Sequence, residues 1–146
     1  MLRSGQKVII PVKGFSMLPF IRGELDLVEL EAAKEYVPED IVLFTVGGRY
    51  VMHRLLSIKD GIAEIMGDGV SRGKEHCPVE DIHGRAIRIL RGAAGREGRP
   101  RREVDPRSRG EIRKARMWRK FLPVRRYLLI AYRLLPWNWK INRKTI

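Results

Sequence analysis

The sequence predicts a mainly β protein, a small antiparallel coiled sheet or barrel, followed by a basic helical C-terminal tail. Short apolar runs separated by turn-forming residues extend over the first 90 residues, with almost no helical periodicity. Charge also divides the chain, because residues 1–90 hold 12 basic and 13 acidic side chains whereas residues 91–146 hold 18 and 4. We therefore expect the tail, rather than the near-neutral domain, to attract polyanions.

The first strands follow from short apolar or alternating runs. Residues 7–13 form a β-type run, and residues 25–31 alternate apolar with acidic side chains, as a half-buried strand does. Residues 32–36 can form one helical turn before Pro38. The continuous apolar run at residues 41–46 predicts a buried strand.

Two dipeptides typical of hairpin turns, Gly47-Gly48 and Asp60-Gly61, organise the next part of the chain. Each of them separates two runs of apolar residues, which favours antiparallel pairing of those runs. The runs predict strands at residues 50–58 and 62–66, followed by a loop at residues 67–79 and a last strand at residues 82–90.

The composition changes after residue 91, and this change sets the domain boundaries. We assign residues 1–91 to a β-domain and residues 92–110, which are rich in Gly, Arg and Pro, to a flexible linker. Residues 111–146 are assigned to a basic amphipathic helical tail. Pro123 interrupts the helical composition of this tail, so that a second helix resumes after it.

Composition also limits the classes of site and the compartment. The one cysteine, Cys77, excludes an intrachain disulfide framework and a cysteine-rich zinc site. The N-terminal residues lack the pattern of a secretory signal, and no window reaches the roughly 18 consecutive apolar residues of a membrane span. We expect a cytoplasmic protein that can lie peripherally at the inner face of the membrane, and no metal or organic cofactor is implied.

The stretch Gly14-Phe15-Ser16-Met17-Leu18-Pro19 lies between the first two predicted strands. A serine between glycine and proline indicates a turn rather than a position in a strand. A surface turn is the simpler interpretation of this stretch. The alternative is an activated nucleophile, which requires a base from elsewhere in the chain.

Three histidines are available as bases. His53 lies inside a predicted strand, which would present its imidazole in a fixed orientation, whereas His76 and His83 lie in or beside the predicted loop. The second hairpin would bring Asp68 near His53. Each residue alone is compatible with a structural role. Together, Ser16, His53 and Asp68 provide a nucleophile, a base and a carboxylate that orients the base.

Four segments resemble the conserved boxes of type I signal peptidases and the related LexA-like self-cleaving repressors. They occur in the family's order within residues 8–90, and the third box carries His-Arg, as in the archaeal and endoplasmic-reticulum branch of the family. The resemblance implies a mostly antiparallel β-domain. The segments are Gly14-Phe15-Ser16-Met17-Leu18-Pro19, Glu39-Asp40-Ile41-Val42-Leu43-Phe44, Val51-Met52-His53-Arg54-Leu55 and Gly67-Asp68-Gly69.

The resemblance implies a serine endopeptidase that cleaves a peptide or leader segment. Ser16 would attack the scissile carbonyl, His53 would act as general base and then as general acid, and Asp68 would orient the imidazole. Met17 and Pro19 would shape the turn and the substrate groove. The substrate would bind in an extended conformation along a strand edge.

The carboxylate of this site has three candidates, since Gly73 stands where the family has a second acidic residue. Asp68, Glu75 and Asp81 can each supply the carboxylate, and we expect Asp68. At the nucleophile box, Gly14 stands where the family has a serine that donates to the oxyanion, so backbone N–H groups would have to replace it. A catalytically degenerate, peptide-binding module is therefore the alternative function.

The tail poses a separate question about partners. Its tryptophans, Trp118, Trp137 and Trp139, are interleaved with Arg and Lys, a composition that suits an anionic membrane surface or nucleic acid. The membrane is favoured by a cluster of apolar residues, and the tail would then replace the family's usual N-terminal anchor. The cluster consists of Leu128, Leu129, Ile130, Leu134, Leu135, Trp137 and Trp139. A terminal helix packed on the domain with a solvated basic face is the third interpretation.

Overall fold

The computed structural model describes residues 1–134, and its main element is one sheet in which all pairings are antiparallel. The sheet curls into a half-barrel, which confirms the predicted mainly β fold. The strands are β1 (Val8–Pro11), β2 (Leu27–Glu31), β3 (Ile41–Val46), β4 (Arg49–Lys59), β5 (Ile62–Met66), β6 (Glu75–Pro78), β7 (Ile82–Arg91) and β8 (Arg102–Val104). They are followed by helices α1 (Arg109–Lys120) and α2 (Arg125–Arg133).

Strand β7 joins the two halves of the sheet. The strand order is β1-β2-β7-β3-β4-β5-β6, and β8 pairs with the end of β7. The curled sheet buries two apolar clusters. One cluster is formed mainly by Met17, Ile21, Val28, Leu30, Ile41, Met52, Ala86, Ile89 and Val104, and the other by Val42, Phe44, Leu55, Ala63, Ile65, Cys77 and Ile82.

Both predicted hairpins are confirmed. Gly47 and Gly48, with φ angles of 56° and 73°, connect β3 to β4, and Asp60 and Gly61, with φ angles of 52° and 75°, connect β4 to β5. Two successive positive φ angles are the requirement of the hairpin turn whose twist matches the strands. These turns set the register that places His53 opposite Val42.

Three sequence predictions need correction. Residues 32–36 form no helical turn. The predicted loop at residues 67–79 contains strand β6, which pairs with β5. The predicted flexible linker contains strand β8 and buries Ala93 and Val104, so its Arg- and Gly-rich composition does not prevent pairing with β7.

The two helices pack against the β-domain. Ser108 caps α1 by accepting a hydrogen bond from the N–H of Glu111, and α2 begins after Pro123, as predicted. Leu129 of α2 packs with Leu18 of the domain, as in the third interpretation of the tail. Within residues 1–134, no helix has the length and apolar character needed to cross a membrane. The predictions for residues 135–146, including Trp137 and Trp139, lie outside the described residues.

Candidate active site

Ser16 lies in the turn region that connects β1 to β2, and it is half-buried. The N–H of Leu18 donates to the carbonyl of Phe15 at 3.2 Å, and the N–H of Gly69 donates to the carbonyl of Ser16 at 2.7 Å. Ser16 is therefore held by its own turn and by the loop that follows β5. Among residues 1–134, no acceptor is bonded to the backbone N–H of Ser16.

His53 is buried in the middle of β4, and a carboxylate holds one of its two ring nitrogens. Its Nδ1 lies 2.6 Å from Oε2 of Glu75, whose side chain is 35% exposed. The ring of Phe44 packs at a tilt against the imidazole, with 6.1 Å between the ring centres. The carboxylate and the aromatic ring together restrict the orientation of the imidazole.

The opposite edge of the imidazole faces the serine turn across Gly67. A Cβ atom added at Gly67 would lie 3.1 Å from Cδ2 of His53 and 2.4 Å from the carbonyl oxygen of Ser16. Cδ2 belongs to the ring edge opposite Nδ1, so the edge that Glu75 does not hold lies near the serine turn. Ser16 makes no side-chain hydrogen bond to any residue among 1–134, so the contact with Nε2 that proton transfer needs is not formed.

Asp68, which was expected to orient His53, pairs instead with Arg54. Its carboxylate receives hydrogen bonds of 2.9 and 3.1 Å from Nε and of 2.7 Å from Nη2 of that arginine, and both residues are buried. Burial by itself would lower the pKa of Arg54, but the Asp68 carboxylate, together with Glu39 and Glu111, outweighs it, so the pKa lies above its usual value. The expected Asp68–His53 contact is thus replaced by the His53–Glu75 contact.

The alternation of side chains along a strand explains this exchange of partners. Neighbouring residues of β4 point to opposite faces of the sheet, so His53 and Arg54 cannot use the same carboxylate easily. Arg54 pairs with Met66, two residues before Asp68. Glu75 of β6 pairs with Ile65 of β5, and Ile65 pairs with Leu55 of β4. Leu55 points to the same face of the sheet as His53, so Glu75 also lies on the face of His53.

The two predicted substrate-binding residues lie apart from any exposed groove at Ser16. Met17 is 1% exposed and belongs to the core cluster, so its side chain is not available to a ligand. Pro19 lines a different cavity, together with Trp118 and Phe121 of the α1 region. Met17 therefore anchors the serine turn from inside the domain.

A groove of about 380 Å³ lies beside Ser16 and offers a mainly apolar wall. Strand β1, which forms one side of this groove, pairs with β2 and has no partner among the described strands on its other edge. An extended peptide can add to such an edge. The lining residues are Ile10, Pro11, Val12, Lys13, Ser16, Leu43, Tyr50, Val51 and Met52.

Residues of α1 and α2 bind the loop that contacts Ser16. Sequence patterns did not assign these residues to the site. Nε1 of Trp118 donates to the carbonyl of Asp68 at 2.6 Å. Nη1 of Arg125 lies 3.1 and 3.0 Å from the carbonyls of Asp68 and Val70 and 3.4 Å from that of Gly67. Burial lowers the pKa of the Arg125 guanidinium despite the nearby Asp68 carboxylate. The helices therefore support the loop behind the serine turn.

Replacing Arg125 by methionine should lower the free energy of unfolding by about 1–3 kcal/mol, because several buried carbonyls would lose their donor. Urea denaturation monitored by tryptophan fluorescence measures this loss. The matched control is Arg126→Met, since Arg126 is the exposed neighbour on the same helix and should change stability by about 0.5 kcal/mol or less. Equal effects of the two substitutions would contradict the supporting role of Arg125.

Replacing Gly69 by alanine should destabilise the protein by about 1–3 kcal/mol, since the new Cβ would lie 2.2 Å from the carbonyl oxygen of Phe15. The clash is with backbone, which has to move and would displace the Ser16 turn. Chemical denaturation gives the measurement. Gly110→Ala is the control: no atom lies within 4 Å of its Cβ, so stability should stay equal or rise by up to about 1 kcal/mol.

Comparison with known proteins yields no assignment. The chain matches no protein-family model, and no significant match was found among curated proteins. Within residues 1–134, no group of three or more His, Cys, Asp or Glu side chains is arranged to hold a metal ion.

Proposed function

We propose that the protein is a serine endopeptidase of the signal-peptidase and LexA-like class. The proposal rests on the position of the His53 ring. Its Nδ1 is 2.6 Å from the Glu75 carboxylate, and the opposite edge of the ring faces the Ser16 turn. A histidine base whose Nδ1–H is held by a carboxylate keeps Nε2 as its proton acceptor. This arrangement is the one that activates a serine hydroxyl.

In the proposed reaction, Oγ of Ser16 attacks the peptide carbonyl while Nε2 of His53 accepts the hydroxyl proton. The Glu75 carboxylate stabilises the imidazolium that results. The tetrahedral intermediate collapses, His53 gives the proton to the leaving amine, and the C–N bond breaks to leave an acyl ester on Ser16. A water molecule, deprotonated by His53, then hydrolyses this ester and regenerates the serine.

The backbone supplies the oxyanion donor in this proposal, since Gly14 has no side chain. The N–H of Ser16 has no acceptor among residues 1–134, so it can donate to the developing oxyanion. The contact between Ser16 and Nε2 forms when a substrate fills the groove, because catalytic hydrogen bonds often tighten only in the complex.

The groove along β1 indicates the kind of substrate. An extended peptide would pair with the free edge of β1 and place alternate side chains against the apolar wall that includes Leu43 and Met52. Tyr50 and Lys13 stand at the same groove and are available for polar contacts. We therefore propose a peptide or leader segment bound as an added strand.

Covalent labelling with a fluorophosphonate probe tests the proposal, followed by intact mass measurement and mapping of the labelled peptide. Label is expected on Ser16 in the wild type, and none in Ser16→Ala or His53→Ala. Matched controls are Ser71→Ala, which removes another half-buried serine, and His76→Ala, which removes an exposed histidine; both should label like the wild type. Labelling that persists in Ser16→Ala would overturn the proposal.

A peptide-binding module without catalysis is the second candidate, and one observation favours it: the hydroxyl of Ser16 is not hydrogen-bonded to His53. The two functions differ in their products. Incubation with a library of leader-type peptides should give cleaved fragments by mass spectrometry if Ser16 is activated, and only retained intact peptides if it is not.

A further inference from the structure

Helix α2 presents apolar side chains on two sides, although the domain covers only one of them. On the inner side, Leu129 is buried against the domain and Arg125 binds the loop carbonyls. On the outer side, five apolar residues are between 43% and 75% exposed. We name these the outer apolar face: Val124, Tyr127, Leu128, Ile130 and Leu134.

A terminal helix that only packed on a domain would carry polar residues on its outer side. Clustered exposed apolar side chains on one helix instead mark a surface that binds something. Tyr127, Ile130 and Leu134 are spaced by three and four residues, so they share one side of α2. The outer apolar face is therefore continuous along the helix.

The charge around this face selects the occupant. Residues 112–134 contain eight Arg or Lys side chains and no Asp or Glu. Two of these arginines bind groups of the protein itself: Arg119 donates to the Glu39 carboxylate, and Arg125 donates to the loop carbonyls. The exposed cations are Arg113, Lys114, Arg116, Lys120 and Arg126; of these, Lys114 also pairs with Glu111 and Arg116 lies 3.8 Å from Glu39. Exposed cations on the same two-helix tail as an exposed apolar helix face are the composition of an interfacial segment on anionic lipid.

Three other occupants fit this surface less well. A second copy would bring another set of cations against the first. Residues 135–146 of the same chain add Lys140, Arg143 and Lys144 without an acidic residue to pair with the surface. Nucleic acid would neutralise the charges, but its bases stack on aromatic rings and would leave aliphatic Leu128 and Ile130 without a partner.

We propose that α2 docks on an anionic phospholipid surface, with the outer apolar face inserted among the lipids and the exposed arginines and lysines on the headgroups. The inner side of the same helix binds the loop carbonyls of residues 67–70, so docking would hold this loop about one helix diameter, ~10 Å, from the lipid. The docking surface and the serine site are separate, and docking does not depend on whether Ser16 is catalytic.

Vesicle co-sedimentation of the full chain tests the docking. Vesicles of phosphatidylglycerol and phosphatidylcholine should bind the protein, and binding should weaken with added salt and be much weaker to phosphatidylcholine alone. The double variant Leu128→Gln/Ile130→Gln should bind roughly tenfold or more weakly, because it removes apolar surface without changing charge. The matched control Ile58→Gln/Ile62→Gln removes two exposed isoleucines from the β4–β5 hairpin and should bind like the wild type.

Circular dichroism of each variant verifies that the fold is kept. The proposal is overturned if anionic vesicles fail to bind the wild type, or if the Leu128→Gln/Ile130→Gln variant binds them as well as the wild type does. It is also overturned if light scattering shows a wild-type dimer that this variant converts to a monomer, because a second copy would then cover the face. A DNA duplex that binds in place of the vesicles would likewise replace lipid as the occupant.

Discussion

A Glu75→Gln variant should cleave peptide substrates about 10²–10⁴-fold more slowly than the wild type while it retains its fold. The carboxylate of Glu75 accepts from Nδ1 of His53, and this contact leaves Nε2 as the proton acceptor. The amide of glutamine can instead donate to Nδ1, which favours the tautomer that carries its proton on Nε2. His53 would then lose its ability to accept the serine proton.

The measurement is kcat and KM for a cleaved peptide, together with the free energy of unfolding from urea denaturation. Loss of the base should lower kcat rather than raise KM, since Glu75 does not line the groove that is expected to hold the peptide. Glu80→Gln provides the control, because Glu80 is an exposed acid close by in the chain. A wild-type kcat in Glu75→Gln would remove Glu75 from the proposed mechanism.

An Asp68→Asn variant should lose about 3–5 kcal/mol of stability, the largest loss that we expect from a single substitution. It would leave the Arg54 guanidinium buried without its bonded counter-charge, because the new amide has one neutral oxygen and an NH2 group where Asp68 has two anionic oxygens, and the other acceptor, the carbonyl of Glu39, is also neutral. The free energy of unfolding in urea, at an unchanged denaturant slope, measures the effect.

Two further variants make this result specific. Asp81→Asn removes another carboxylate that the sequence had offered for the site, but one that is exposed, so stability should change by about 0.5 kcal/mol or less. The double variant Arg54→Met/Asp68→Leu should recover much of the loss, since it removes both charges together. A loss below about 1 kcal/mol in Asp68→Asn would show that the buried pair is not needed for stability. A large loss of kcat with normal stability would instead restore Asp68 as a partner of the base.

Local signals predicted most of the sheet. These signals depend only on neighbours in the chain: the alternation at residues 25–31, the apolar run at residues 41–46 and the two hairpin dipeptides. The strands and turns that they predict are present. Strand β6 was not predicted because Glu75–Pro78 has neither alternation nor an apolar run. It is a strand because the edge of β5 offers it backbone partners.

Within the described residues the tail forms two helices interrupted near Pro123, as predicted, and packing on the domain was one of three interpretations, but the contacts that make this packing were not predicted. Charge and helical periodicity do not reveal that Arg119 meets Glu39 or that Trp118 reaches the loop after β5. These contacts join residues 80 and 50 positions apart, so no local pattern encodes them.

The sequence by itself determined most of the antiparallel strands, the turn that contains Ser16 and the place of His53 within a strand, because these features follow from residue types over a few neighbouring positions. Only the tertiary structure decided which carboxylate pairs with His53 and which pairs with its neighbour Arg54. The second hairpin brings Asp68 towards β4, but side-chain alternation directs it to Arg54, while the separate pairing of β6 brings Glu75 to His53. Whether a carboxylate lies on the same face of the sheet as His53 or as Arg54 depends on the combined register of β4, β5 and β6, and that register exists only in the folded sheet.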